Sequence, residues 1–220
     1  MTQPLHIDFV SDVACPWCAV GLASLEQALR KLDGEVAVDL HFQPFELNPQ
    51  MGPEGQDVTE HIAQKYGATP EQQAQNRENI AQRGAAVGFQ FRKEGRGRVW
   101  NTFDAHRLLY WAGEQGVQQQ RDLKMALLKA YHGEARNVAD PAVLAEVAAS
   151  VGLDRQAAAD VLASGRYADE VRAQEQHFQG LGIHAVPSVI INNRHLIQGG
   201  QPPEMFEQAL RQLAEQQATA

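Results

Sequence analysis

The sequence predicts an α/β fold in which the two parts of one sheet are separated by a large all-helical insertion. Three observations predict it. Alternating apolar residues indicate strands near both ends of the chain, the middle has helical composition with little strand signal, and each strand group adjoins an amphipathic helix. The predicted order is therefore strand–helix–strand, a helical block, then strand–strand–helix.

The first part of the chain is a compact strand–helix–strand unit. Apolar residues alternate over residues 5–10, and they recur at intervals of three and four from Pro16 to about Leu32. Gly34 ends the helix, and alternation returns over residues 36–42. Because crossovers between strands of one sheet are right-handed, we expect the two strands to be parallel.

A loop rich in proline and glycine over residues 44–57 opens the helical block. Thr69-Pro70, Asp140-Pro141 and Asp154 are typical of helix starts. The predicted helices lie near residues 57–66, 70–87, 102–115, 120–132, 140–151, 154–164 and 167–181.

Strand signals return after Gly182. Residues 188–191 are mostly apolar and β-branched, and Asn192-Asn193 can adopt the positive φ of a tight hairpin turn before a strand at 195–198. The last helix is predicted over about 202–216. The predicted domains are residues 1–50 with 182–220, and the helical insertion 51–181.

The composition narrows the classes of partner. The chain has 220 residues and a net charge of −8, which argues against nucleic acid or an anionic membrane as a partner. We see no signal-peptide pattern at the N-terminus and no stretch apolar enough to span a bilayer, so we expect a cytoplasmic location. The composition does not choose between a monomer and a homodimer.

The only two cysteines lie in the motif Cys15-Pro16-Trp17-Cys18, between the first strand and the first helix. A disulfide across so short a loop removes little entropy from the unfolded chain and is a poor structural staple. The motif therefore indicates a thiol–disulfide redox site. The alternative is half of a zinc site, but a structural site needs four ligands and no second cysteine pair exists, so we predict no metal.

The spacing of the motif assigns roles to its residues. Pro16 suits the first turn of a helix, which places Cys15 beside free N–H groups and the positive end of the helix dipole. A thiolate is stabilised there, so we expect a lowered pKa and assign Cys15 as the nucleophile. Cys18, one turn later, is the resolving thiol. Trp17 is predicted either to tune the redox potential or to contact substrate, and Pro16 is assigned with it to the substrate-binding residues.

Together with Ala185-Val186-Pro187-Ser188 before the penultimate strand and the helical insertion, the motif makes the chain resemble the thioredoxin superfamily and its DsbA-like branch. The resemblance implies a thioredoxin-like fold. It also implies that the bond between Val186 and Pro187 is cis, packs against the cysteine motif and offers backbone groups to substrate. A trans proline that simply starts a strand is the alternative.

A finer resemblance is to the FrnE-like subgroup of cytoplasmic DsbA-like oxidoreductases. The residues that carry it are Pro44-Phe45-Glu46-Leu47-Asn48-Pro49, Asn101-Thr102, Ala105-His106-Arg107-Leu108 and Gly199-Gly200-Gln201. The resemblance puts Asn101 and His106 near the active face, as substrate-binding residues, with His106 able to shuttle a proton. The alternative is a helix cap and a packed histidine. Some relatives carry a further cysteine pair, which this chain lacks.

Two further polar clusters stand out in the sequence. The basic segment Arg92–Arg98 is interpreted as a solvated loop, with a mobile lip that attracts acidic substrates or glutathione as the alternative. His6 and Asp8 flank the first strand, and Asp8 could accept a proton beneath the motif or point to solvent. We leave both outside the predicted site.

The predicted function is a thiol–disulfide oxidoreductase or isomerase that works through a mixed disulfide with a protein or small molecule. It needs no bound cofactor, and glutathione is a candidate redox partner. One alternative is a glutathione-dependent isomerase or transferase of the hydroxychromene-carboxylate isomerase or kappa class, in which the resolving Cys18 would be superfluous. The other is a non-catalytic binding or chaperone-like protein.

Overall fold

A computed structural model describes residues 3–219 and confirms the mixed α/β fold with a helical insertion. Strand β1 (Leu5–Ser11) leads to helix α1 (Pro16–Lys31) and to strand β2 (Val38–Pro44). The two strands are parallel, as predicted, with Leu5 opposite Val38 and Ser11 opposite Pro44. β2 begins two residues later than the alternation indicated, because the pairing with β1 starts at Val38.

The helical insertion follows, and its helix boundaries differ from the prediction by a few residues at most. Asp57, Thr69, Asp140 and Asp154 each accept hydrogen bonds from the first turn of a helix, which explains why the helices start there. The helices are α2 (Val58–Tyr66), α3 (Pro70–Ala86), α4 (Phe103–Gln115), α5 (Val117–Leu128), a π-helical turn (Lys129–Gly133), α6 (Pro141–Ser150), α7 (Arg155–Ala163) and α8 (Ala168–Gly180).

Sequence analysis did not predict one small feature of the insertion. Strands β3 (Gln56–Asp57) and β4 (Arg98–Val99) pair antiparallel and tie the loop before α2 to the basic segment before α4. Two residues are too few to produce a periodic pattern, so no alternation could reveal them.

The last part of the chain completes the sheet. Strand β5 (Ser188–Ile191) pairs antiparallel with β1 and with β6 (His195–Gln198), which gives the strand order β2-β1-β5-β6. Asn192 and Asn193 have φ values of 51° and 54°, as predicted for the tight turn. Helix α9 (Pro203–Thr219) extends three residues beyond the predicted end.

The buried apolar residues form two large clusters. One lies between the sheet and helices α1 and α9, around Ile7, Phe9 and Phe206. The other lies among α4 to α7 and includes Val13 and Ala14, which directly precede the cysteine motif. The helical insertion therefore packs directly on the segment that leads into Cys15. The division of the chain into domains at residues 51 and 181 stays a prediction.

Within residues 3–219, we find no helix with the length and apolar character needed to cross a bilayer.

Candidate active site

The two cysteines lie at the start of α1, where the sequence predicted them. Cys15 is the N-cap residue, with φ −91° and ψ 115°, and Pro16 occupies the first position of the helix. The N–H of Cys15 donates to the carbonyl of Asp12 (3.2 Å), which closes a tight turn before the helix. Both cysteines are free thiols; Cys15 is 5% exposed and Cys18 is fully buried. Cys15 is thus the one that substrate can reach.

The environment separates the pKa values of the two thiols. A hydrogen bond from Cys18 is the main cause that lowers the pKa of Cys15, and the backbone N–H groups of Cys18 and Trp17 act in the same direction against burial. Burial raises the pKa of Cys18 well above its ordinary value, and a hydrogen bond to Cys15 raises it further. This asymmetry favours a thiolate on Cys15 and a proton on Cys18.

The peptide bond between Val186 and Pro187 is cis, as expected, and it lies against the cysteine motif. The Cys15 thiol donates to the carbonyl of Val186 over 3.5 Å between sulfur and oxygen. The Pro187 ring packs on α1 at Gly21, where an added Cβ would lie 3.0 Å from the Pro187 Cγ. Gly21 therefore permits the close approach of the proline to the helix, a role that sequence analysis missed.

Trp17 of the motif is partly exposed and packs at the edge of the sheet cluster. Gly200 lies directly against it, because a Cβ at Gly200 would be 3.1 Å from the Trp17 Cε3 atom. Gly200, the second of the two glycines after β6, therefore lets the backbone pass directly against Trp17.

Asp12, which sequence analysis did not single out, is fully buried beneath this turn. Its carboxylate accepts hydrogen bonds from the N–H groups of Ala14 (3.0 Å) and Leu47 (2.7 Å), and one oxygen lies 3.5 Å from Nε2 of His106. Burial raises the pKa of Asp12, but His106 and these two N–H groups outweigh it, so the net pKa is lowered. The turn before Cys15 is therefore built around an ionised carboxylate.

The helical insertion holds the next two residues by their carbonyl groups. His132, in the π-helical turn, donates from Nε2 to the carbonyl of Val13 (2.9 Å). Arg96 donates to the carbonyl of Ala14 (2.5 Å), and its guanidinium lies 5.2 Å from the centre of the Tyr131 ring. The interpretation of the basic segment as a solvated loop is wrong for Arg96, which is a fixed part of the site.

A buried lysine completes the polar interior of the site. Lys124 on α5 is 1% exposed, burial lowers its pKa, and its charge acts to lower the pKa of Cys18. It lines a cavity of about 10 Å³, together with His106 and Gln43. Among the described residues, His106 Nε2 and Gln43 Oε1 are buried without a hydrogen-bond partner, so this cavity has the size and polarity that suit one water molecule.

The structure does not bring every predicted site residue to the surface of the site. His106 is 2% exposed and faces Asp12 from below, so it can act on the site only from within. Asn101 donates to the carbonyl of Met51 (3.3 Å) and accepts from the N–H of Phe103 (2.9 Å), which matches the capping alternative. Their functional roles stay predictions.

The fold and the site define a class of protein: a thioredoxin-fold protein with a dithiol at a helix N-terminus beside a cis-proline. The model of the DSBA-like thioredoxin domain matches residues 6–211, and the chain belongs to this family. Membership of the FrnE-like subgroup is consistent with this and stays a prediction.

The chain is also similar to individual proteins along nearly its whole length. The chain is 28% identical to the uncharacterized protein YwbO of Bacillus subtilis (strain 168) over 219 residues, which cover 94% of this chain and 96% of YwbO. The crystal structure of the probable DsbA oxidoreductase SCO1869 from Streptomyces coelicolor superposes with a TM-score of 0.88 at 35% identity, covering 96% of this chain and 90% of that one.

A more distant structure shares the fold. The cytosolic disulfide reductase DsbM from Pseudomonas aeruginosa, solved with GSH, has a TM-score of 0.64 at 19% identity. The match covers 98% of this chain and all of DsbM.

Proposed function

We propose that this DsbA-like protein is a thiol–disulfide oxidoreductase or isomerase that uses Cys15 and Cys18 through a mixed disulfide. The observation that carries the proposal is the pairing of a Cys15 thiol of lowered pKa with the carbonyl of Val186, 3.5 Å away, at a cis-proline. An extended substrate that pairs with the backbone at Val186 would bring its own disulfide to the Cys15 sulfur.

The reaction balances within the two thiols and one substrate disulfide. The Cys15 thiolate attacks one substrate sulfur, a mixed disulfide forms, and the other substrate sulfur leaves as a thiolate that takes a proton. Cys18 then loses its proton and attacks the Cys15 sulfur, which releases the substrate as a dithiol and leaves a Cys15–Cys18 disulfide. Glutathione would reduce this disulfide in a second exchange and would itself become oxidised.

The raised pKa of Cys18 makes the second step the demanding one, because only its thiolate can attack. Lys124 and the Asp12 carboxylate are the buried charged groups whose fields act on the two thiols. We assign Lys124 as a positioning residue whose charge favours ionisation of Cys18.

We also propose a cytoplasmic location and glutathione as the redox partner. Both cysteines belong to the motif, so they are not used for a structural disulfide of the kind that is typical of secreted proteins. In the reducing cytosol, a disulfide between them would be transient and catalytic. The Arg96 guanidinium, fixed beside Ala14, offers positive charge near Cys15 to the carboxylates of glutathione.

The test is an equilibrium titration in glutathione redox buffers, in which the Cys15–Cys18 pair is alkylated and read by mass. A reversible two-electron transition is expected, with a midpoint between about −270 mV for a reductant and about −120 mV for an oxidant. Cys15→Ser should abolish the transition. The Cys18→Ser variant should instead form a stable glutathione adduct on Cys15, because no resolving thiol remains to release it.

The same pair of variants separates the alternatives. A glutathione-dependent isomerase or transferase would lose activity in Cys15→Ser and keep it in Cys18→Ser, with no two-electron transition in the parent protein. A binding or chaperone-like protein would keep its activity in the double variant. Either result would overturn the proposed redox function.

A further inference from the structure

Two histidines and one aspartate meet at the opposite end of the strands from the dithiol. His6 lies on β1, and Asp39 and His41 lie on the edge strand β2, where the parallel register puts His6 beside Asp39. One ligand atom from each of the three side chains lies within 4.8 Å of the others. At a strand rise of about 3.3 Å per residue, His6 is roughly 16 Å from the end of β1 that leads to Cys15. The three ligand residues therefore lie away from the dithiol itself.

A buried carboxylate fixes the orientation of one of these rings. Asp8 is 5% exposed, and its two oxygens lie 3.0 Å from His6 Nε2 and 2.6 Å from Gln43 Nε2. In a neutral imidazole, a hydrogen bond from His6 Nε2 to the Asp8 carboxylate leaves Nδ1 with a free electron pair for a ligand. That Nδ1 faces Asp39, at 3.7 Å from its Oδ2 atom.

This arrangement matches the way in which proteins hold metal-binding histidines. A ligating imidazole usually donates its other N–H to a carboxylate, which sets the tautomer and the ring angle. Asp8 supplies that carboxylate, and Gln43 in turn holds Asp8.

The spacing fits a small transition metal ion. His41 Nε2 lies 2.8 Å from Asp39 Oδ2, and His6 Nδ1 lies 3.7 Å from the same oxygen. Ligands about 2.0–2.1 Å from a tetrahedral Zn²⁺ lie roughly 3.3 Å apart, so small side-chain shifts bring the three into position. Two imidazoles and one carboxylate suit Zn²⁺ or Cu²⁺, whereas Ca²⁺ and Mg²⁺ prefer oxygen ligands.

We propose that His6, Asp39 and His41 form a binding site for a divalent transition metal, with Asp8 as the residue that orients His6. The three ligand side chains are 38%, 44% and 36% exposed, so an ion can enter from solvent and keep water in its remaining positions. The sequence prediction of no metal concerned a zinc site built on the cysteines, which His6 or distant histidines could complete, and did not consider His6, Asp39 and His41 as one group. A bound ion would clip β1 to the edge strand β2 and would stabilise the folded state by mass action.

The test uses Zn²⁺ as the probe and a Cys15→Ser/Cys18→Ser protein, because the dithiol itself can bind zinc. Calorimetric titration should show one saturable site per chain and a melting temperature that rises with Zn²⁺. His41→Ala and His6→Ala should each weaken binding by at least about tenfold, and Asp8→Asn should weaken it by about 10–100-fold. The matched control is His195→Ala, which removes an exposed histidine on β6 outside the cluster.

Several outcomes would overturn the proposal. They are the absence of saturable binding, equal binding in His41→Ala, or an equal loss in His195→Ala, which would show non-specific binding to surface histidines. Circular dichroism of each variant without metal checks that it folds. If His6→Ala fails to fold, His41→Ala on the edge strand decides the question alone.

Discussion

The hydrogen bond from His132 to the Val13 carbonyl predicts how stability depends on pH. Burial lowers the pKa of His132 from 6.5 to about 3, so the folded protein holds a neutral imidazole that the unfolded chain protonates below pH 6.5. The free energy of unfolding therefore falls as the pH drops from about 6.5 to about 3. The loss is about 1.4 kcal/mol per pH unit, or roughly 3 kcal/mol between pH 7 and pH 4 from this histidine.

The change that tests this is His132→Gln, which keeps an N–H donor for the Val13 carbonyl but cannot take up a proton in this range. Urea unfolding at pH 7, 6, 5 and 4 should show that the variant loses about 3 kcal/mol less than the parent protein on acidification. Other titrating groups are common to both proteins and cancel in the difference. His195→Gln, at an exposed histidine, should follow the parent curve. Parallel curves for the parent and His132→Gln would refute the reasoning.

Three further predictions concern the dithiol. Gly21→Ala should push the Pro187 ring away from α1, destabilise the protein by about 1–3 kcal/mol and slow disulfide exchange, as measured by urea unfolding and by turnover of a model disulfide. Lys124→Met should leave the free energy of unfolding equal or higher, because it removes a buried charge. It should also slow the attack by Cys18, so that quenched samples analysed by mass show a longer-lived mixed disulfide with glutathione. Arg96→Gln should raise the KM for glutathione disulfide with a smaller effect on a neutral aromatic disulfide; equal effects on both would contradict a charge-based role.

The parts of the fold that sequence analysis predicted are those encoded by local chemistry. Pro16 at the first helical position and the asparagine pair at the hairpin turn each fix the backbone through their own conformational preferences, and the structure shows both. The helix starts at Thr69 and Asp140 could be predicted for the same reason, since a capping side chain accepts a hydrogen bond from a backbone N–H only two or three residues away.

The interior of the site could not be predicted in that way. Asp12, Lys124 and His132 acquire their roles only when the helical insertion packs on the turn before Cys15, and the His132 bond to Val13 joins residues 119 positions apart. No periodicity or motif signals such a contact. A weak signal did exist in the composition of the basic segment, but it could not show that Arg96 alone reaches the Ala14 carbonyl.

The position of Cys15 therefore depends on both halves of the architecture. The thioredoxin-like sheet and α1 provide the helix N-terminus and the cis-proline, while the insertion fixes the turn that precedes Cys15 through His132 and Arg96. The Val13 side chain itself belongs to the apolar cluster of the insertion. A change in the packing of these helices must move the Cys15 backbone relative to Val186, because the insertion holds the carbonyls of Val13 and Ala14, the two residues before Cys15. The insertion thus fixes the backbone that carries Cys15, and under the proposed function residues that never touch substrate would help to set the rate of disulfide exchange.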